Sequence, residues 1–196
     1  MVIAGLVRNL KLSKSLRIIR RYLVINGFDG SIVTLGLIFG FFLAGLEDTR
    51  IIVSAGLGAA IAMCISGFSG VYLSEKAEKE KELKDIETAM VKKLGNTKIG
   101  EALRLAPLIT ALVDGLSPFI FSLIILLPFL LSGLFAAPIK ILYYTSFALC
   151  AICLFVLGMF MGKTAKNNVW LYGVKTLAIG LITAAILIIF DFALGA

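Results

Sequence analysis

Residues 22–46 read YLVINGFDGSIVTLGLIFGFFLAGL, and residues 105–131 read LAPLITALVDGLSPFIFSLIILLPFLL. Each stretch is long enough to cross a membrane as a helix, and each contains a single charged residue, Asp29 in the first and Asp114 in the second. Each Asp lies about 10–14 Å along its helix at 1.5 Å per residue. A carboxylate at that depth is costly in hydrocarbon and normally faces a protein interior or a wet cavity. The two stretches therefore indicate a membrane protein that handles ions or protons.

The composition as a whole is that of an integral membrane protein. Of the 196 residues, 60% are hydrophobic and 16% are charged, and the mean hydropathy is +1.02. A soluble domain of this length would carry more charge on its surface. We predict an all-α integral membrane protein with five transmembrane helices. The predicted spans are residues 23–46, 51–73, 107–132, 139–162 and 170–193.

Basic residues predict the orientation of the spans. Sixteen of the 19 Lys and Arg residues lie in an N-terminal arm (1–22), in the segment after span two (74–106) or between spans four and five. All three regions lie on one side of a five-span protein, so the positive-inside rule places the N-terminus in the cytoplasm. Leu6–Tyr22 mixes apolar and basic residues, which predicts an amphipathic helix on the membrane surface. Anionic membrane lipids account for the net charge of +7, and no nucleic acid partner is needed.

The charged segment has two interpretations. It separates spans one and two (23–73) from spans three to five (107–196), and its Glu and Lys residues alternate with i,i+4 spacing. That spacing predicts a helix that continues out of span two and ends near Gly95. In the plainer interpretation this helix is a solvated connection. In the other, Glu75 and Glu78, with Glu82 on the same face, bind a divalent first-row metal, although the interleaved lysines oppose this by neutralising the carboxylates.

Asp114 also has two interpretations. Pro118 lies four residues later and lacks the N–H that would bind a carbonyl of the preceding turn. Exposed carbonyls beside a carboxylate form a stopping point for a cation or a proton. Alternatively, Asp114 is a buried residue that is hydrogen-bonded to Ser117 or Asn26. The sequence leaves both interpretations open.

Other classes of function have less support. Cys150 and Cys153 have the spacing of a redox or zinc pair, but the chain has no His and no second such pair. We interpret them as packing residues. No dense cluster of Asp with Arg and Ser marks a span end, so we predict no enzyme activity and no bound cofactor. The alternative function is transport of another solute, with the membrane Asp residues relaying only protons.

Two stretches resemble the vacuolar iron transporter family. DGSIVTLGLIFG, from Asp29, is similar to the start of that family's first membrane helix, and GVYLSEKAE, from Gly70, is similar to the end of its second. The resemblance implies a homodimer that moves ferrous iron, and often manganese, out of the cytosol in exchange for protons. Fe²⁺ or Mn²⁺ is then the substrate. The resemblance also implies that Asp29 faces the conduction path at the dimer interface.

This chain departs from the family pattern in two places. Family members carry a Met in helix two where this chain has Gly67, and Met63, one helical turn away, is the candidate substitute. Segment 74–106 is too short for the three-helix metal-binding domain of the longer members. The short loops predict that the protein lies in a prokaryotic cell membrane. The predicted metal ligands are Asp29, then Asp114 and Met63, with Glu75 and Glu78 receiving the ion on the cytoplasmic side.

Overall fold

A computed structural model describes residues 15–95, 97–134 and 137–194. All five helices in these ranges are long and apolar enough to span a membrane, which confirms the predicted all-α fold with five spans. Residues 1–14, most of the predicted amphipathic arm, lie outside the described residues. The helices are α1 Ser15–Leu43, α2 Thr49–Met90, α3 Lys98–Leu130, α4 Ile139–Thr164 and α5 Val169–Leu194.

The turn between α1 and α2 is built from residues suited to helix ends. Gly45 has a positive φ of 64°, and Leu46 donates its N–H to the Phe41 carbonyl at 3.0 Å. This is the left-handed cap that glycine favours at a helix C-terminus. The Asp48 carboxylate then accepts the Arg50 N–H at 2.8 Å and caps the start of α2. The turn between α1 and α2 is therefore a well-capped connection.

Helix α2 continues beyond the predicted membrane span, as the charge spacing predicts, but it ends earlier than expected. It stops at Met90 because Val91 adopts a left-handed φ of 50°. Lys92 then donates its N–H to the Glu87 carbonyl at 3.2 Å. The Glu87 side chain binds the Leu94 N–H at 2.7 Å, which ties the following loop to the helix. The predicted end near Gly95 was wrong because these contacts close the helix about one turn earlier.

The chain divides into two compact units. Among the described residues, the first consists of residues 15–23 together with Cys64–Ser117, and the second consists of Val24–Met63 together with residues 118–194. The predicted metal ligands are thus distributed over both. Asp114, Glu75 and Glu78 belong to the first unit, and Asp29 and Met63 belong to the second.

An apolar core and a few buried hydroxyl groups hold the second unit together. Ile38, Ile52 and Leu126 are fully buried, and they come from α1, α2 and α3. The Thr34 hydroxyl donates to the Ser122 hydroxyl at 2.8 Å and so joins α1 to α3. Such hydroxyl pairs stabilise helix contacts where no water is available.

The two cysteines of α4 are part of this packing. Both are buried and carry free thiols. The Cys150 S–H points to the Ser31 carbonyl, with sulfur and oxygen 3.7 Å apart. Cys153 lies in the same apolar core. These contacts agree with the interpretation of Cys150 and Cys153 as packing residues.

Candidate functional site

Asp29 lies on the part of α1 that belongs to the second unit, and it is exposed. The next residue, Gly30, lies against α3, because a Cβ atom there would be 2.5 Å from the Pro118 Cα. This close contact fixes the face of α1 that packs inside the unit and leaves Asp29 off that face. Asp29 is exposed among the described residues, although it lies within an apolar span. An ion or a second protein surface can therefore reach it.

Asp29 belongs to an exposed stripe along α1. Ile25 and Val33, one turn before and after it, are 47% and 44% exposed. Farther along the same face, Cβ atoms at Gly36 and Gly40 would have no atom of the described residues within 4 Å. This α1 stripe (Ile25, Asp29, Val33, Gly36 and Gly40) combines one carboxylate with small and apolar residues. Small residues of this kind let a second helix approach closely.

Asp114 has the opposite environment. It lies in the first unit and is only 3% exposed. Its carboxylate occupies space beside Gly67, since a Cβ atom there would be 2.6 Å from Asp114 Oδ2. A Cβ atom at Gly115 would likewise be 2.5 Å from the Cys64 carbonyl oxygen. These two glycines let α2 and α3 approach closely around the Asp114 carboxylate.

Ser117 does not act as the hydrogen-bond donor to Asp114. Its hydroxyl donates to the Leu23 carbonyl at 2.6 Å, which joins α3 to α1 within the first unit. A hydroxyl has one proton to donate, so that proton is unavailable to the carboxylate. Helix α3 runs through Pro118 without interruption. Asp114 does have interactions in the structure, so it is a partnered, buried acid.

The part of α2 that follows the predicted span, residues 74–90, is called the α2 extension. Among the described residues, its glutamates do not form a metal-binding cluster. Glu75 is 4% exposed, and its Oε2 atom has no hydrogen-bond partner among the described residues. Glu78 is exposed, and Glu82 forms an ion pair with Lys79 at 2.7 Å. The described residues contain no group of three or more His, Cys, Asp or Glu side chains placed to bind a metal. Of the two predicted ligands on this helix, Glu75 is thus buried, with one oxygen that has no hydrogen-bond partner among the described residues. Glu78 is exposed to solvent.

The surroundings of Glu75 raise the pKa of its carboxyl group. Burial raises the pKa of the Glu75 carboxyl above its ordinary value of 4.5, and the nearby Glu78 carboxylate raises it further. Lys79 and Arg21 lower it, but by less than burial raises it. A carboxylate held in this way gains from the arrival of a cation or a proton.

The spacing in the sequence suggested a different pairing for Lys79. The i,i+4 pattern pairs Lys79 with Glu75, whereas in the structure Lys79 forms an ion pair with Glu82, three residues later on α2. Lys79 is 7% exposed, but the Glu82 side chain is 40% exposed, so the ion pair is only partly buried. Sequence reasoning missed that Lys79 is buried, and no signal in the charge pattern distinguishes it from its exposed neighbours. Met63, the remaining predicted ligand, is half-buried in the second unit.

Comparison with known proteins identifies the family of the chain. The VIT family model matches residues 20–90 and 80–190, which is most of the chain. The chain belongs to the VIT family. An uncharacterized protein of the archaeon Methanocaldococcus jannaschii is 36% identical over 170 residues, covering 85% of each chain. The resemblance to the vacuolar iron transporter family is therefore confirmed, and membership makes the chain a membrane transporter of metal ions.

Proposed function

We propose that this VIT protein exports Fe²⁺ or Mn²⁺ from the cytosol in exchange for protons and that it acts as a homodimer. The observation that carries the proposal is the exposed Asp29 carboxylate in the apolar part of α1. A divalent cation that crosses hydrocarbon needs anionic oxygen ligands, and a membrane carboxylate is costly unless it has such a role. Oxygen ligands also suit manganese.

The α1 stripe supports a two-fold axis close to Asp29. An exposed carboxylate facing lipid is unfavourable, and a second copy of α1 would remove it from lipid. A two-fold axis brings the same patch of each protomer together. Gly36 and Gly40 provide the open space in which the two helices would meet. The two copies of Asp29 would then share one ion path.

Asp114 is the second proposed membrane ligand. Its carboxylate lies beside Gly67, the position at which family members carry a Met, so an oxygen ligand from α3 would replace a sulfur ligand from α2. Met63 is the proposed source of a softer, thioether contact elsewhere along α2. Replacement of sulfur by oxygen favours harder cations, so it supports Mn²⁺ alongside Fe²⁺.

Glu75 and Glu78 are proposed to receive the ion on the cytoplasmic side. Glu78 is exposed to arriving ions, and Glu75, one turn earlier on α2, has a buried oxygen that forms no hydrogen bond with the described residues. A cation passing from Glu78 to Glu75 would satisfy that oxygen. The raised pKa of Glu75 supports competition between the cation and a proton for the same carboxylate.

Proton exchange follows from carboxylate chemistry at these positions. A carboxylate binds either a proton or a metal ion at a given oxygen, so loading of one releases the other. Protons entering from the acidic side would displace the metal there, and metal from the cytosol would displace protons. We place the protein in a prokaryotic cell membrane, which the archaeal relative supports.

Transport by the purified, full-length chain in proteoliposomes tests the proposal. A metal-sensitive dye and a pH-sensitive dye inside the same vesicles record both ions at once. We expect Fe²⁺ or Mn²⁺ movement that is driven by an opposing proton gradient and accompanied by counter-movement of protons, with Ca²⁺ transported more slowly. Proton flux without metal flux would support a proton-coupled transporter of another solute instead.

A further inference from the structure

The first unit contains a cavity that the metal path does not use. Its volume is about 410 Å³, and its walls come from the α2 extension, from the loop after it and from the start of α3. Four basic side chains line it, namely Lys76, Lys79, Lys84 and Arg104. This basic cavity is within the size range of small-molecule sites, which runs from roughly 300 to 1,000 Å³.

The basic cavity has more positive than negative charge. Its two carboxylates are Glu80 and Glu87, and the Glu87 side chain is already bound to the Leu94 N–H. Lys79 is paired with Glu82. Within the part of the chain that the structure describes, Lys76, Lys84 and Arg104 form no ion pair. Three cations therefore face the cavity without a carboxylate partner in contact, and an anion would be attracted to it.

The position of the cavity points to the membrane surface. Tyr72 and Pro107 line it, and they lie at the predicted cytoplasmic ends of spans two and three. The Lys76 ammonium lies 5.7 Å from the centre of the Tyr72 ring, which is within cation–π range. Tyr residues are enriched at the level of lipid headgroups. The cavity thus has cations on its aqueous side and apolar walls toward the membrane.

We propose that this cavity binds the phosphate headgroup of an anionic phospholipid from the cytoplasmic leaflet. Lys76, Lys84 and Arg104 would contact the phosphodiester, and Tyr72 and Pro107 would contact the glycerol backbone and the first methylene groups. Basic pockets between membrane helices on the cytoplasmic side suit such headgroups. Residues 1–14 contain Arg8, Lys11 and Lys14 but no acidic residue, so this stretch of sequence supplies no anion for such a site.

A bound headgroup would join two elements that the chain connects only through a loop. Its single negative charge would lie between Lys76 and Lys84 of the α2 extension and Arg104 of α3, and would attract all three. Inorganic phosphate shares the same chemistry but has no apolar part to contact Tyr72 and Pro107. The lipid is therefore the source of phosphate that the cavity favours.

Native mass spectrometry of the full chain, released from detergent with defined lipids, tests the proposal. The probes are phosphatidylglycerol, zwitterionic phosphatidylcholine and inorganic phosphate. The cavity variant combines Lys76→Gln, Lys84→Gln and Arg104→Gln. The matched control removes three cations elsewhere on the cytoplasmic side, by Lys81→Gln, Lys98→Gln and Lys163→Gln. A charge-preserving variant combines Lys76→Arg, Lys84→Arg and Arg104→Lys.

Each basic residue near an anionic lipid changes affinity about fivefold. We therefore expect the cavity variant to retain phosphatidylglycerol at least about tenfold less well than wild type, because it loses three such contacts. The matched control and the charge-preserving variant should retain it normally, with all proteins equally helical by circular dichroism. Equal loss of phosphatidylglycerol from the cavity variant and the matched control would overturn the proposal. Retention of phosphatidylcholine by the wild-type protein as strongly as phosphatidylglycerol would also overturn it. So would inorganic phosphate that protects the wild-type protein from thermal unfolding as well as phosphatidylglycerol does.

Discussion

At the scale of single residues, the two membrane acids show what hydropathy can and cannot predict. Asp29 and Asp114 lie at similar depths in similar apolar stretches, each before a glycine, and the sequence identifies both as candidates. One is exposed and the other is 3% exposed. Depth follows from the length of the stretch, whereas the direction of a side chain depends on which helix faces pack. For Asp114, the deciding contact is made by Gly67 on another helix.

Glu75 gives a prediction for pH dependence. Its pKa is raised in the folded protein, chiefly by burial, so the folded state binds this proton more tightly than the unfolded chain does. The stability that comes from the proton is complete below about pH 4.5 and is lost as the pH rises through the folded pKa. Glu75→Gln removes the buried charge, so we expect it to raise Tm by about 2 °C at neutral pH without metal.

A pH series of thermal unfolding in detergent with a chelator checks this expectation. The difference in Tm between Glu75→Gln and wild type should disappear at acidic pH, where Glu75 is protonated in both states. Glu80→Gln, at an exposed position on the same helix, is the control and should show no such pH-dependent gain. A Tm difference that is constant from pH 4 to pH 8 would refute the assigned cause.

At the scale of helices, the number and type of elements follow from the sequence, but their ends do not. Long apolar stretches predict the five spans, and the alternating charges predict the continuation of α2 past residue 73. The end of that helix depends on Val91, which adopts a backbone conformation that branched residues rarely take. It also depends on Glu87, whose side chain binds a backbone group seven residues later. Contacts of this kind have no periodic signal in the sequence.

The close packing of α2 on α3 predicts a strong effect at Gly115. An Ala Cβ atom there would lie 2.5 Å from the Cys64 carbonyl oxygen and 3.0 Å from the Phe68 Cβ. Because the helix backbone must move to make room, we expect Gly115→Ala to lower Tm by about 5 °C. Gly58→Ala on α2 is the control, since a Cβ atom there has nothing within 4 Å. An equal Tm for both variants would mean that the two helices are less tightly packed than the structure has them.

At the scale of the whole molecule, the α1 stripe is the exposed surface that we expect a second protein to cover. Mean hydropathy and the positive-inside rule predict spans and orientation, but they carry no information on which exposed face meets lipid and which meets protein. The stripe differs from an ordinary lipid-facing surface because it includes the Asp29 carboxylate and two glycines with open space beside them. The proposed homodimer rests on this combination.

Enlarging Gly40 tests the proposed dimer. The position is exposed, and a Cβ atom there would have no neighbour within 4 Å among the residues that the structure describes. Gly40→Leu should therefore leave the protomer folded while it separates the two copies of α1. We expect light scattering in detergent to show monomers at concentrations at which wild type is dimeric. Ala185→Leu, at an exposed position on α5, should remain dimeric. A Gly40→Leu protein that dimerises as strongly as wild type would place the interface elsewhere.

The most direct test of the account is metal transport by Asp29→Asn in proteoliposomes under a proton gradient. The control is Asp48→Asn, which makes the same chemical change in the turn between α1 and α2, where Asn can also cap the helix. We predict that Asp29→Asn reduces Fe²⁺ or Mn²⁺ transport to the level of empty vesicles, whereas Asp48→Asn transports at the wild-type rate. Undiminished, proton-driven transport by a correctly folded Asp29→Asn protein would show that Asp29 is not a ligand on the ion path.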